Sequence, residues 1–200
     1  RHFYFFISPF FFMFAVFGLY PLLFSLYLSF MKWDGLTTPV SVGFENFVTL
    51  FSDDMFFTAL WNTVALGFMY VPPMFVFAFI FANILNSKRL RLRGLLRAGV
   101  FLPVITPMVV IAIVFSLLYS AESGLINYVV VYVTSFFPGG PIEPIPWLES
   151  EEWSKVSVSI LLVWRWTGYN MILMLAGLQG ISGDYYEAAI IDGASRWQRM

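Results

Sequence analysis

Two clusters of polar residues interrupt a chain that is otherwise mostly apolar. The first is Trp164-Arg165-Trp166-Thr167-Gly168-Tyr169-Asn170. Trp and Tyr faces suit the apolar faces of sugar rings, while Arg, Thr and Asn can hydrogen-bond hydroxyls. Arg165 would also pair with the anion of a phosphorylated polyol. Trp164, Arg165, Thr167 and Asn170 are the residues of this cluster that could contact a polar ligand. Arg165 stands about ten residues, roughly 15 Å, into an apolar stretch, where a charge is costly and marks a functional site by default. The competing reading is a snorkelling arginine among belt aromatics. The second cluster is Glu187-Ala188-Ala189, followed three residues later by Gly193 with Asp192 before it. Asp184 and Glu187 are spaced as a capping box, so a short helix should start at Asp184. Ala188 and Ala189 give it a small, close-packing face. Gly193 can take the left-handed conformation that ends a helix, and 194–200 should begin another. Helix, Gly turn and helix make a compact knob, and Glu187 could pair with a basic side chain. On spacing alone, a polar interhelical loop with a good cap is the simpler reading.

Other chemistry is excluded by what the chain lacks. It has no cysteine, and its one histidine is His2. That removes thiolate chemistry, a His-based metal site and a Ser–His–Asp triad, so the expectation is no catalytic and no metal-binding residue. No Gly-rich loop ending in Gly-Lys-Ser/Thr is present, so no nucleotide phosphate would be cradled here.

These clusters sit in a chain that is 60% hydrophobic and 12% charged, with mean hydropathy +0.79. Soluble domains carry about 25% charged residues, so this one needs lipid as its solvent. Four segments can cross the roughly 30 Å hydrocarbon layer: 3–31, 57–86, 98–121 and 156–181. The fold expected is all-α and membrane-integral, a single domain over 1–200. Pro9, Pro21 and the Pro72-Pro73 pair should kink or distort their spans, and Pro103 and Pro107 fall in the first turns of the third. The uncharged run 3–31 is too long for the core of a cleavable signal, and Arg1 in place of an initiator Met implies residues upstream.

Basic residues orient the spans. With a cytoplasmic N-terminus, the inside holds Arg1, Lys88, Arg89, Arg91, Arg93, Arg97, Arg196 and Arg199, eight of the eleven. The basic loop 88–97, with spans on both sides, is a topology determinant beside anionic lipid rather than a nucleic-acid patch. Two external segments remain. Segment 44–51 should form an interfacial amphipathic helix after a turn at Trp33-Asp34-Gly35. Residues 124–133 could continue as a short helix, and Pro138-Gly139-Gly140-Pro141 forces irregular chain. Trp147 and Trp153 suit interfacial anchoring. The external acids could face a partner protein or simply be solvated.

The pattern E-A-A, three residues, G resembles the cytoplasmic coupling loop of binding-protein-dependent ABC importer permeases. The likeness stops at Met200, before the Ile-x-Leu-Pro that completes that loop. Leu175-Ala176-Gly177-Leu178-Gln179, Phe101-Leu102-Pro103, Gly124-Leu125-Ile126-Asn127, Pro146-Trp147-Leu148, Asp192-Gly193-Ala194 and Trp197-Gln198 are similar to the carbohydrate-uptake branch, that of maltose and glycerol-3-phosphate permeases. The resemblance extends over essentially all 200 residues. It implies a fragment of a six-helix permease in a bacterial or archaeal inner membrane, with a coupling loop over 182–200. Glu187, Ala188, Ala189, Asp192 and Gly193 would dock on an ABC ATPase dimer, and Trp164, Arg165, Thr167 and Asn170 would face a solute pathway. A second permease subunit, identical or homologous, and an extracytoplasmic solute-binding protein would complete the assembly. No cofactor is implied, and ATP hydrolysis would lie on the partner. Two rivals differ in class. An ion-coupled transporter would show Asp, Glu or His relays within its spans, and a membrane-embedded enzyme would show a polar catalytic cluster. Neither feature is visible.

Overall fold

The computed structural model describes residues 2–87, 90–195 and 198. It divides into two units, 1–63 and 64–200, with the boundary inside one long helix.

The first unit opens with α1 (His2–Phe14), a π-helical turn (Ala15–Leu19) and α2 (Tyr20–Leu28). Pro9 is carried inside α1. The wide turn falls just ahead of Pro21. Proline has no N–H and its ring crowds the carbonyl four residues back, and here the chain adapts by widening the turn. The N–H of Tyr20 accordingly bonds the carbonyl of Ala15. Together the three pieces give an apolar stretch, Phe3–Leu28, long enough to span.

A small hairpin follows, absent from the sequence reading, pairing β1 (Met31–Lys32) with β2 (Val40–Ser41). Its bend is held by Asp34. One carboxylate oxygen accepts from the Leu36 and Thr37 backbone N–H groups at 3.0 and 2.8 Å and from the Thr37 hydroxyl at 2.7 Å. Gly35 takes φ 85°, which a residue with a side chain would resist. The helix expected over 44–51 forms as α3 (Glu45–Phe51). Asn46 ties it back by donating to the carbonyls of Ser29 and Met31, both at 2.9 Å.

The bonds from Thr37, then Leu36, hold the Asp34 carboxyl at about 2, below its ordinary 3.8. A lowered folded-state pKa means that this stabilisation is full above about 3.8 and is lost as pH falls through about 2. We expect the Leu36 and Thr37 amides to lose hydrogen-exchange protection in that window. Asp34→Ala should expose them at every pH. Protection that persists in Asp34→Ala would show that the carboxylate does not hold the bend.

α4 (Asp54–Asn86) runs 33 residues through Pro72 and Pro73 as one helix. In the second unit its Ala78, Ala82 and Leu85 face Met171 and Leu175 of α8 (Glu151–Gln179), forming the buried core. The i, i+4, i+7 spacing puts the three α4 residues on one stripe, and the two alanines admit Met171. The stretch 98–121 is not one helix. It comprises α5 (Arg93–Ile105) and α6 (Met108–Leu118), bent by 97°. Pro107 disfavours the helical region for the residue before it, and Thr106 is extended at φ −74°, ψ 132°.

α7 (Leu125–Thr134) precedes the Pro-rich segment, which returns to α8. Asn127, only 4% exposed, fixes that return. Its amide donates to the carbonyls of Ile145 (2.9 Å) and Ala121 (3.2 Å), and its oxygen accepts from the Ile145 N–H (3.0 Å) and Trp147 Nε1 (2.9 Å). The Ser157 hydroxyl donates to the Trp147 carbonyl and Tyr119 donates to the Ser157 carbonyl. Every strong polar group in this knot has a partner, which is what burial demands. Trp147 is thus a buried member of the knot, whereas the sequence suggested an interfacial anchor. Ser150 caps α8 by accepting from the Trp153 N–H, and Glu151 and Glu152 suit the positive end of its dipole.

Candidate functional site

A cavity of about 630 Å³ opens between α4, α5 and α8. Met69, Pro73, Phe77 and Phe81 of α4 line one wall, and Gly99, Val100 and Pro103 of α5 another. α8 presents Val156, Ser159, Ile160, Val163, Trp164 and Thr167. Two of the four candidate solute contacts, Trp164 and Thr167, therefore reach this space. Trp164 is half-exposed and packs against Phe115 with ring centroids 5.2 Å apart, so its ring is held in place.

The cavity's hydroxyls are partly spent. Thr167 donates to the Val163 carbonyl and Ser159 to the Lys155 carbonyl, each four residues back in the same helix. They can accept from a solute hydroxyl but donate only after rotating away. The wall is otherwise apolar and aromatic, a surface for stacking more than for hydrogen bonding.

Asn170 and Arg165 do not line the cavity. Asn170 donates to the Trp166 carbonyl at 3.0 Å and approaches the Met74 sulfur at 3.4 Å. Arg165 turns to α5. Its Nη1 donates to the carbonyls of Thr106 at 3.1 Å and Pro103 at 3.3 Å, and its guanidinium lies 5.6 Å from the Trp166 ring centroid. In an unbroken helix the Pro103 carbonyl would accept from residue 107. That residue is proline and has no N–H. Arg165 supplies the missing donor and places a positive charge at the negative end of the α5 dipole. Pro107 in the sequence signals the break. The pairing across more than fifty residues has no local signal.

α9 (Gly183–Ile191) carries the second cluster. Its cap is Ser182, whose hydroxyl accepts from the Asp184 N–H at 3.3 Å. Asp184 lies in the first turn rather than at the cap. This corrects the capping-box reading, because Ser182 precedes it and takes the extended conformation a cap needs. Gly193 ends the helix at φ 80°. The N–H of Ala194 bonds the Ala189 carbonyl at 2.9 Å and that of Gly193 bonds the Ile190 carbonyl at 3.1 Å, the paired closure of a Schellman turn. Glu187, Ala188, Asp192 and Gly193 are exposed, and Ala189 is half-buried. Of the second helix expected over 194–200, residues 196, 197, 199 and 200 lie outside the described residues. The Ser195 N–H bonds the Gln198 side chain at 2.7 Å.

Residues 74–200 match the family model described as binding-protein-dependent transport system inner membrane component. The chain belongs to that family. Curated relatives match over nearly the whole sequence. The lactose transport system permease protein LacF of Rhizobium radiobacter is 41% identical over 195 residues, covering 98% of this chain and 63% of that protein. The arabinooligosaccharides transport system permease protein AraP of Bacillus subtilis is 33% identical, covering 98% and 60%. A solved bacterial alginate ABC transporter, in complex with an alginate pentasaccharide-bound periplasmic protein, has a chain that superposes with TM-score 0.74. It shares 25% identity, and the match covers 98% of this chain and 62% of that one. The chain thus spans about three-fifths of the length of these relatives. As a member of this inner-membrane family it is a multi-pass, mainly α-helical membrane chain. The family match includes both candidate clusters, since 164–170 and 187–193 fall inside 74–200.

Proposed function

We propose that this chain forms part of the translocation pathway of an ATP-driven importer for a sugar or related polar solute. The observation that carries the reading is the knob closing α9, with Glu187 and Ala188 exposed just beyond the long α8, inside the matched family region. In this reading the N-terminus is cytoplasmic and the knob faces the cytoplasm. It seats in an ABC ATPase dimer, with Glu187 pairing to a basic side chain there and Ala188, Ala189, Asp192 and Gly193 shaping the contact. Hydrolysis occurs on that partner. A second permease subunit completes the pathway, and an external binding protein delivers the solute. The relatives' names support a saccharide as cargo. Trp164 and Thr167 would meet it in the cavity. Arg165 and Asn170 would contribute after rearranging, or act by holding the α4–α5–α8 walls.

The mechanism is alternating access. ATP-driven closure of the ATPase moves the knob as a rigid body because the Schellman turn and the Ser182 cap stiffen both ends of α9. Motion passes directly into α8, since only Gly180, Ile181 and Ser182 separate the two helices. The cavity walls then shift relative to one another.

Glu187→Lys tests the reading in the full-length chain with its partners. Truncating a docked charge pair costs about 2–5 kcal/mol, which is more than about tenfold in affinity, and reversal costs at least as much. We expect correct membrane insertion, reduced co-purification of the ATPase and more than about tenfold slower ATP-driven uptake in vesicles without an ion gradient. Full uptake by an inserted Glu187→Lys protein would remove the coupling assignment. Uptake driven by an ion gradient without ATP would favour an ion-coupled transporter.

A further inference from the structure

We propose that α7 is an interfacial helix whose outer face, formed by Leu125, Tyr128, Val129, Tyr132 and Val133 and extended by Phe136 in the turn that follows, lies in the headgroup–acyl boundary of the bilayer. At ten residues, about 15 Å, the helix is too short to cross the hydrocarbon. Its inner face is already occupied. Gly124 and Asn127 are buried, Asn127 holds the returning chain at Ile145 and Trp147, and Thr134 Oγ1 accepts from the Ile142 N–H. The polar groups of the helix are satisfied internally as well. Thr134 donates to the Val130 carbonyl and Ser135 to the Tyr132 carbonyl.

What remains outward is apolar and aromatic. All six face residues are 47% exposed or more, and no charged residue occurs between Glu122 and Glu143. Tyr128 and Tyr132 stack with centroids 6.4 Å apart, and Phe136 meets Tyr132 edge-on at 5.1 Å, giving one continuous stripe. A water-facing surface rarely carries such a stripe. The face offers two phenols and otherwise no charged or hydrogen-bonding side chain by which a protein partner could be told from another. Tyrosines within an apolar face are instead the composition of a membrane interface. The segment is also tethered to that level. Leu118 ends α6 only seven residues before Leu125, a reach of at most about 25 Å, and α8 leads from the far side of the same loop into another apolar span.

These 200 residues hold no cysteine, so single substitutions label cleanly. The full-length transporter would carry a nitroxide at Val129→Cys or Val133→Cys and be reconstituted in vesicles of phosphatidylcholine and phosphatidylglycerol. Accessibility to oxygen and to a water-soluble nickel chelate is then compared with Phe12→Cys in the first span and Glu143→Cys. The expected result is a several-fold preference for oxygen at 129 and 133, matching Phe12→Cys, and the reverse at 143. Nickel accessibility at 129 and 133 equal to that at 143 would overturn the proposal in favour of a solvated loop. Shielding from both reagents would overturn it in favour of a protein-covered face. Neither readout depends on which solute is carried.

Discussion

Gly168→Leu is expected to abolish recovery of folded protein, and Gly168→Ala to lower its stability by roughly 3 kcal/mol, the top of the usual overpacking range. The reason is a backbone-to-backbone crossing. A Cβ built on Gly168 would strike the Val100 carbonyl oxygen and stand 2.9 Å from its carbon and 3.0 Å from the Phe101 Cα. None of these atoms belongs to a flexible side chain, so α5 and α8 would have to part by something on the order of 1 Å, forfeiting much of the dispersion along the crossing. Small residues at helix crossings have this role in membranes, where no hydrophobic force presses helices together and close packing must hold them. Gly177, on the same helix, is the control. Nothing lies within 4 Å of a Cβ there, so Gly177→Ala should change stability by no more than about 1 kcal/mol. The measurement is the thermal midpoint of the purified full-length protein in detergent, with the monodisperse fraction on size exclusion. If Gly168→Ala matched Gly177→Ala, the crossing would not be close and the α5–α8 seat would need another explanation.

The contrast between these two glycines shows where the sequence was legible. Apolar runs of twenty or more residues, basic loops between them and a glycine after Asp192 are local signals, and they located the helices, the membrane class and the turn at Gly193. Phe101-Leu102-Pro103 and Glu187-Ala188-Ala189 carried the family. Gly168 and Gly177 look alike in one dimension, since only the approach of Val100 from about seventy residues away tells them apart. The same is true of Asn127, which reads as an ordinary polar residue in a short helix until Ile145 and Trp147 close on it. The 97° bend lay between these extremes. Pro107 stands at the bend, but in the sequence it falls within the first turns of an apolar stretch, 98–121, that reads as one span, and backbone sterics at Thr106 decide the outcome. Ser182 is masked as a cap in the sequence because Asp184 and Glu187, three residues apart, already have the spacing of a capping box.

Arg165→Met is expected to lower the stability of the transporter by about 1–2 kcal/mol, with Arg165→Lys intermediate. Removing the guanidinium orphans the Pro103 and Thr106 carbonyls, each costing about 1–3 kcal/mol when buried, and strips the charge from the end of the α5 dipole. Against this stands relief from holding a charge within a span, about 2.5–3.5 kcal/mol on insertion scales. The first set of terms is the larger because two acceptors lose their donor together, and Pro107 cannot supply one to Pro103. Lysine keeps the charge but is a point donor without the planar fork that lets arginine serve two carbonyls. Transport kinetics separate this holding role from direct solute contact. A positioning arginine loses folded protein and maximal uptake while apparent solute affinity in surviving molecules stays near wild type. Suppression by Pro107→Ala is the sharper test, since it restores an N–H at 107 for the Pro103 carbonyl and should recover part of the stability lost in Arg165→Met. If Arg165→Met instead kept its thermal midpoint and weakened solute affinity alone, the carbonyl contacts would be incidental and Arg165 would belong among the residues that touch the cargo.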